Sequence, residues 1–88
     1  MTRVLIVDDQ PSFRRQLRQL LILAGLCVVG EAGDIPTAES LAQALQPDLV
    51  VVDMMPGVNG LEGVLRLKAL LPSLRVIRSA RSKTVLTR

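Results

Sequence analysis

The residues of this chain best suited to chemistry are aspartates that stand directly after apolar runs. Asp53 follows the run 49–52, and Asp8 and Asp9 follow the run 4–7. Short apolar runs rich in β-branched residues are typical of buried strands, so each run predicts a strand with acid at its C-terminal tip. If the two strands are parallel neighbours, three carboxylates meet at one edge of the sheet, where open α/β sheets bind their ligands.

Three carboxylates at one edge repel one another, and a hard divalent cation removes that penalty. Magnesium prefers oxygen ligands and usually takes one or two carboxylates while keeping waters and substrate oxygens. A carboxylate can also accept a phosphoryl group and form an acyl phosphate. We therefore predict that Asp53, alone on its strand, is a phosphoacceptor and that Asp8 and Asp9 hold Mg²⁺. A single aspartate that ends a strand is more often a turn or cap residue, but two acidic strand ends favour the functional interpretation.

The rest of the chain supplies the elements that must position these acids. Strands are predicted over residues 3–8, 27–31, 48–53 and 76–77, with helices over residues 10–24, 35–46 and 61–71. The helices follow from apolar residues that recur at helical spacing. Strands that alternate with helices predict an α/β fold, a doubly wound parallel sheet with right-handed crossovers.

Several polar residues and glycines have structural predictions instead. Arg14, Arg15 and Arg18 lie off the apolar face of the first predicted helix and are interpreted as a solvated surface, with partner docking as the alternative. Gly25 is suited to a left-handed helix stop. Asp34 is suited to the N-cap of the second helix.

Composition places the chain among small globular domains. Its 88 residues are 49% apolar and make one domain whose core must be aliphatic, since Phe13 is the one aromatic residue. Histidine is absent, which excludes His-based catalysis and His metal sites. The single Cys27 is predicted to be a buried strand residue in a reducing compartment. The first residues form neither a signal peptide nor a membrane span, so we expect a soluble, cytoplasmic protein with no membrane partner.

Four ordered blocks of sequence resemble the receiver domain of two-component response regulators. They are VLIVDD at residues 4–9, GEA at 30–32, PDLVVVD at 47–53 and MPGVNGLE at 55–62. The GEA block is most similar to the NarL-type branch of that family. The resemblance implies a flavodoxin-like sheet in the strand order 2-1-3-4.

The same resemblance implies a signalling module rather than an enzyme. Asp53 would receive a phosphoryl group from a sensor histidine kinase, and Asp8 and Asp9 would hold Mg²⁺ together with Asp53 and the backbone carbonyl of Met55. Ser79 would be the hydroxyl residue that reports the phosphoryl group. A homodimer or receiver–receiver contact is a further expected partnership, and nucleic acid is not expected as a partner without an effector domain.

The chain departs from the family pattern in two places. Only Met54 separates Asp53 from the Met-Pro pair, where receivers typically have two residues, so a distorted metal site is expected. A receiver usually continues through a further helix, a fifth strand with a phosphate-binding lysine and a final helix. We therefore predict an incomplete receiver-like domain over residues 1–80, with about four strands and three helices, and a basic tail over residues 81–88.

The missing final helix would leave the apolar stripe around Leu17 and Leu21 without cover, which predicts self-association or marginal folding. Two other functions remain open from the sequence. A degenerate receiver could act as a protein-interaction module that needs no phosphorylation. Alternatively, the basic end of the chain could contact nucleic acid, because residues 64–88 hold seven Lys/Arg and no acid.

Overall fold

Strands and helices alternate along this computed structural model, which describes residues 1–53 and 59–79, with the main chain alone at residues 53, 59–61 and 79. The elements are β1 (Arg3–Val7), α1 (Pro11–Leu23), β2 (Cys27–Ala32), α2 (Ile35–Leu45), β3 (Leu49–Asp53), α3 (Asn59–Leu70) and β4 (Arg75–Ser79). The strands form one parallel sheet in the order β2-β1-β3-β4. The predicted α/β class and the strand order 2-1-3-4 are confirmed.

The core lies between the sheet and the pair of helices α2 and α3. Both middle strands are apolar along their length because both of their faces are covered, as is usual for parallel sheets. Alanines on α2 let that helix lie close to the sheet. The buried cluster on this side comprises Leu5, Val7, Ala32, Ala38, Ala42, Val50, Val52, Leu67 and Leu74.

The side of the sheet covered by α1 is packed less deeply. This helix contacts β1 and β2, yet none of its residues is fully buried. Leu17 and Leu21, on the predicted apolar stripe, are half-buried. Leu20 is 63% exposed and Leu23 is 84% exposed. The apolar stripe of α1 is thus only partly covered by the described residues.

Two predicted helix boundaries are confirmed by their local geometry. Gly25 has a φ of 89°, a left-handed conformation that favours glycine after α1. The main-chain N–H of Thr37 donates a hydrogen bond of 2.8 Å to Oδ1 of Asp34, which is the N-cap of α2. The end of α2 was not predicted in detail: Gln46 adopts a left-handed φ of 49° just before Pro47.

Two predictions about strands were wrong. β4 has five residues rather than two, because its main chain continues to pair with β3 although Arg75 and Arg78 are exposed. Cys27 begins β2 but is half-buried rather than buried, since β2 is an edge strand of the sheet. None of the described helices has the length and apolar character needed to cross a membrane.

Candidate functional site

The strand register brings the predicted acids to one edge of the sheet. Val7 at the end of β1 pairs with Val52 on β3, so Asp8 and Asp53 are the next residues on two neighbouring parallel strands. On the other side of β3, Asp53 pairs with Ser79 at the end of β4. The main chains of three predicted site residues therefore share the carboxyl edge of the sheet.

Among the described side chains at this edge, that of Asp8 is the most enclosed polar one. Its side chain is fully buried, and its main-chain N–H donates to the carbonyl of Ala32 at 3.0 Å, which extends the pairing between β1 and β2. The N–H of Gln10 donates to Oδ1 of Asp8 at 2.9 Å and closes the turn into α1. Asp9, the next residue, is exposed. One carboxylate of the predicted pair is thus fixed inside the edge and the other faces solvent.

Arg14 is the residue at this edge whose role sequence reasoning missed. It was interpreted as part of a solvated surface, but only 19% of its side chain is exposed. Its guanidinium donates to the main-chain carbonyl of Asp8, and its Nε donates to Oε1 of Glu31 at 3.3 Å. Arg18 donates to the other oxygen of Glu31 at 3.0 Å and is about half exposed. The one signal in the sequence was the opposite charge of Glu31 at the exit of the neighbouring strand.

Another acid near this edge has a purely local role. Asp34 follows β2, and its hydrogen bonds with Thr37 at the start of α2 lower the pKa of its carboxyl. The positive end of the helix dipole favours a carboxylate at this position. Asp34 is therefore explained by helix capping and is not assigned to the site.

The comparison with known families identifies the kind of domain that contains this edge. The sequence model of the family described as "Response regulator receiver domain" matches residues 4–86. This chain belongs to the response regulator receiver domain family.

Individual relatives of this receiver domain agree in sequence and in fold. It is 42% identical over 67 residues to the nitrate/nitrite response regulator protein NarL of Escherichia coli, in an alignment that covers 74% of this chain and 31% of that protein. The response regulator domain of Thermotoga maritima CheB matches it with a TM-score of 0.75 and 36% identity, covering 89% of this chain and 59% of that one.

A third relative was solved bound to a promoter. RcsB from Salmonella enterica serovar Typhimurium, bound to promoter rprA in the presence of phosphomimetic BeF3-, matches with a TM-score of 0.79 and 28% identity. That match covers 89% of this chain and 68% of the RcsB chain. The receiver domain spans about a third of the length of the curated relatives it matches first.

The donor set of the receiver domain is suited to a hard cation. Asp8 and Asp9 offer carboxylate oxygens, and the main chain of Asp53 places a third aspartate at the neighbouring strand tip. All of these are oxygen donors, the ligand type that Mg²⁺ prefers. Among the side chains that the structure describes, no group of three metal-binding residues is assembled. The predicted ligand Met55 and the tail 81–88 lie outside the described residues.

Proposed function

We propose that this receiver domain is a phosphoacceptor module of a two-component phosphorelay. A carboxylate oxygen of Asp53 would attack the phosphorus atom carried by a histidine of a sensor kinase. The new O–P bond forms as the N–P bond to that histidine breaks, which leaves an acyl phosphate on Asp53 and returns the histidine to its unmodified form. The output of the module is then the phosphorylation state of one side chain.

The observation that carries this proposal is the register of β1 and β3. Pairing of Val7 with Val52 makes Asp8 and Asp53 neighbours across the strand tips. We assign Asp8, Asp9, Asp53 and the backbone carbonyl of Met55 as the residues that would hold Mg²⁺. When bound, Mg²⁺ would neutralise negative charge on the phosphoryl oxygens and on the acids.

The pairing of β3 with β4 supports a second role. Ser79 is opposite Asp53 in the register, so its main chain is held next to the proposed acceptor. We propose that the hydroxyl of Ser79 responds to a phosphoryl group on Asp53. The structure of the related RcsB was solved in the presence of phosphomimetic BeF3-, which is consistent with phosphorylation as the functional state in this family.

Organisation and partners follow from the same proposal. The receiver-like domain would comprise residues 1–80, followed by the basic tail 81–88, and would act in the cytoplasm as a signalling module rather than as an enzyme. A sensor histidine kinase is its proposed partner, with a second receiver as another. Exposed Leu20 and Leu23 on α1 support the predicted self-association. Light scattering across a concentration series would test it, and a constant monomer mass would contradict it.

A phosphodonor assay tests the acceptor directly. Acetyl phosphate and Mg²⁺ are added to the full chain, and the intact protein is weighed by mass spectrometry. We expect the gain of one phosphoryl group on the wild type and none on Asp53→Asn. Asp48→Asn is the matched control, because Asp48 immediately precedes the opposite end of the same strand. The control should be phosphorylated like the wild type.

Chelation provides a second arm of the same assay. Removing divalent cations with EDTA should abolish the mass gain, because the proposed transfer depends on Mg²⁺. An equal gain on Asp53→Asn, or no gain on the wild type, would refute the assignment of Asp53.

A further inference from the structure

Arg14 makes contacts that join three elements at the acidic edge. It lies in the first turn of α1, yet its guanidinium reaches back to the main-chain carbonyl of Asp8, the first residue after β1. Its Nε is bound to Glu31 near the end of β2. The side chain is largely buried, so these contacts are shielded from water and are stronger than an exposed pair would be.

The contacts of Asp8 show what Arg14 adds. The N–H of Asp8 donates to the carbonyl of Ala32 on β2, and Oδ1 of Asp8 accepts from the N–H of Gln10. Arg14 binds the carbonyl of the same residue. Because main chain and side chain are thereby held from three directions, the orientation of the Asp8 carboxylate is fixed before any ligand arrives.

Glu31 has a separate task in this arrangement. An arginine whose guanidinium binds the carbonyl of Asp8 would compete with a metal ion if it also paired with the Asp8 carboxylate. Glu31 instead holds the Nε of Arg14 at 3.3 Å and is itself held by Arg18. Gly33 also leaves room for the guanidinium of Arg14, because a Cβ at Gly33 would lie 3.3 Å from one of the guanidinium nitrogens.

We propose that Arg14, held by Glu31, is a positioning residue for the cation site, acting on Mg²⁺ through the main chain of Asp8. The inference rests on the proposed function, since it takes Asp8 as a ligand of Mg²⁺. Residues that orient metal ligands commonly change metal affinity by 10- to 100-fold when they are removed. Arg14 is placed to act in this way without touching the ion.

The direction in which the Kd for Mg²⁺ changes distinguishes a positioning role of Arg14 from a simple effect of its charge. Replacing an arginine beside an acidic site removes a positive charge, which by electrostatics alone would tighten the binding of a cation. Loss of positioning does the opposite. For Arg14→Met we therefore expect the Kd for Mg²⁺ to rise by roughly 10-fold or more, measured by calorimetric titration of the full chain with magnesium chloride. Arg15→Met removes the same charge from an exposed neighbour and should leave the Kd unchanged or slightly lower.

Further variants test the arrangement itself. Glu31→Gln should raise the Kd by less than Arg14→Met does, and the double variant should bind Mg²⁺ no more weakly than Arg14→Met alone, because both act through one contact. Arg14→Lys keeps the charge but lacks the planar fork, so it should restore only part of the affinity. If circular dichroism shows that Arg14→Met has lost its helices, the Glu31→Gln and Arg14→Lys values decide the question.

The possible outcomes distinguish the proposed role of Arg14 from the proposed phosphoacceptor function. A wild type that binds Mg²⁺ and accepts phosphoryl, while Arg14→Met binds Mg²⁺ equally well or more tightly, overturns the role of Arg14 and leaves the proposed function intact. Additive effects of Arg14→Met and Glu31→Gln would also overturn it. A wild type that binds no Mg²⁺ removes both proposals together.

Discussion

The two ends of the sheet use the same residue types for different purposes. At the amino end, the N–H of Arg3 donates to Oδ2 of Asp48 at 2.8 Å, and the N–H of Asp48 donates to the carbonyl of Arg3 at 2.9 Å. The Arg3 guanidinium donates to the carbonyls of Leu45 and Gln46 at 2.6 and 2.8 Å. These contacts join β1 to the end of α2 and to the connection between α2 and β3.

At the carboxyl end, the acidic residues are grouped at neighbouring strand tips, and their role is not only to join segments of the chain. Asp8 and Asp9 stand together at one strand tip, with Asp53 at the next tip. Grouping acids in this way is unfavourable for folding by itself. The contacts at the amino end stabilise the fold, whereas the acids at the carboxyl end are those that we propose to hold a cation, which would relieve their repulsion.

Removing the buried acid should give the largest effect at the carboxyl end. Asp8→Asn keeps an acceptor for the N–H of Gln10 but removes one negative charge from the site. We expect the Kd for Mg²⁺ to rise by roughly tenfold or more, while the melting temperature without Mg²⁺ stays the same or increases because like-charge repulsion is relieved. Calorimetric titration and thermal melting would measure the two quantities.

The matched change at the amino end should give the reverse pattern. Asp48→Ala removes the acceptor for the N–H of Arg3 and should lower the free energy of unfolding by about 1 kcal/mol, with no change in the Kd for Mg²⁺. If Asp8→Asn lowered the melting temperature and left the Kd for Mg²⁺ unchanged, the proposed difference in role between the two ends of the sheet would be wrong.

The architecture could be predicted from the sequence because its middle strands are continuous apolar runs. Runs of four apolar residues at 4–7 and 49–52 left little choice of element, and the acids that follow them marked the edge of the sheet. β4 was underestimated since exposed arginines interrupt its apolar pattern. An edge strand tolerates such residues on its solvent side, and main-chain pairing with β3 carries no signature in the side chains.

The arrangement of the strand tips was predictable, and the details around it were not. The apolar runs indicated which strand tips are neighbours, but nothing in two consecutive aspartates tells which one turns inward. That choice depends on the turn closed by Gln10. The role of Arg14 was also hidden, because one of its partners is a main-chain carbonyl and the other is Glu31, which is distant in sequence.

A smaller effect is expected from the arginine at the amino end. Arg3→Met keeps a long apolar stem but loses the donors to the carbonyls at the end of α2. We expect the free energy of unfolding to fall by about 0.5–1 kcal/mol, measured by urea denaturation, with phosphorylation of Asp53 by acetyl phosphate unchanged. Arg15→Met is the matched control on an exposed helix surface and should be close to neutral. A large loss of phosphorylation in folded Arg3→Met would show that the two ends are coupled.

The smallest effect concerns Asp34, an acid that lies near the carboxyl end but caps a helix. The hydrogen bonds with Thr37 lower the pKa of Asp34 in the folded chain, so its carboxylate stabilises the fold at pH values above the ordinary pKa of about 4. That contribution is lost as the pH falls through the lowered pKa, because the protonated acid has neither the charge nor its interaction with the helix dipole. Asp34→Ala should therefore melt at a slightly lower temperature than the wild type at pH 7, and the difference should shrink in acid. Asp34→Asn keeps an acceptor without the charge, so its difference from the wild type at pH 7 should be smaller and should vanish in acid, where the wild-type carboxyl is also neutral. Because Asp34 caps α2 and does not lie at the tips of β1 and β3, neither variant should alter the Kd for Mg²⁺. A change in that Kd would show that the region after β2 also contributes to the proposed cation site.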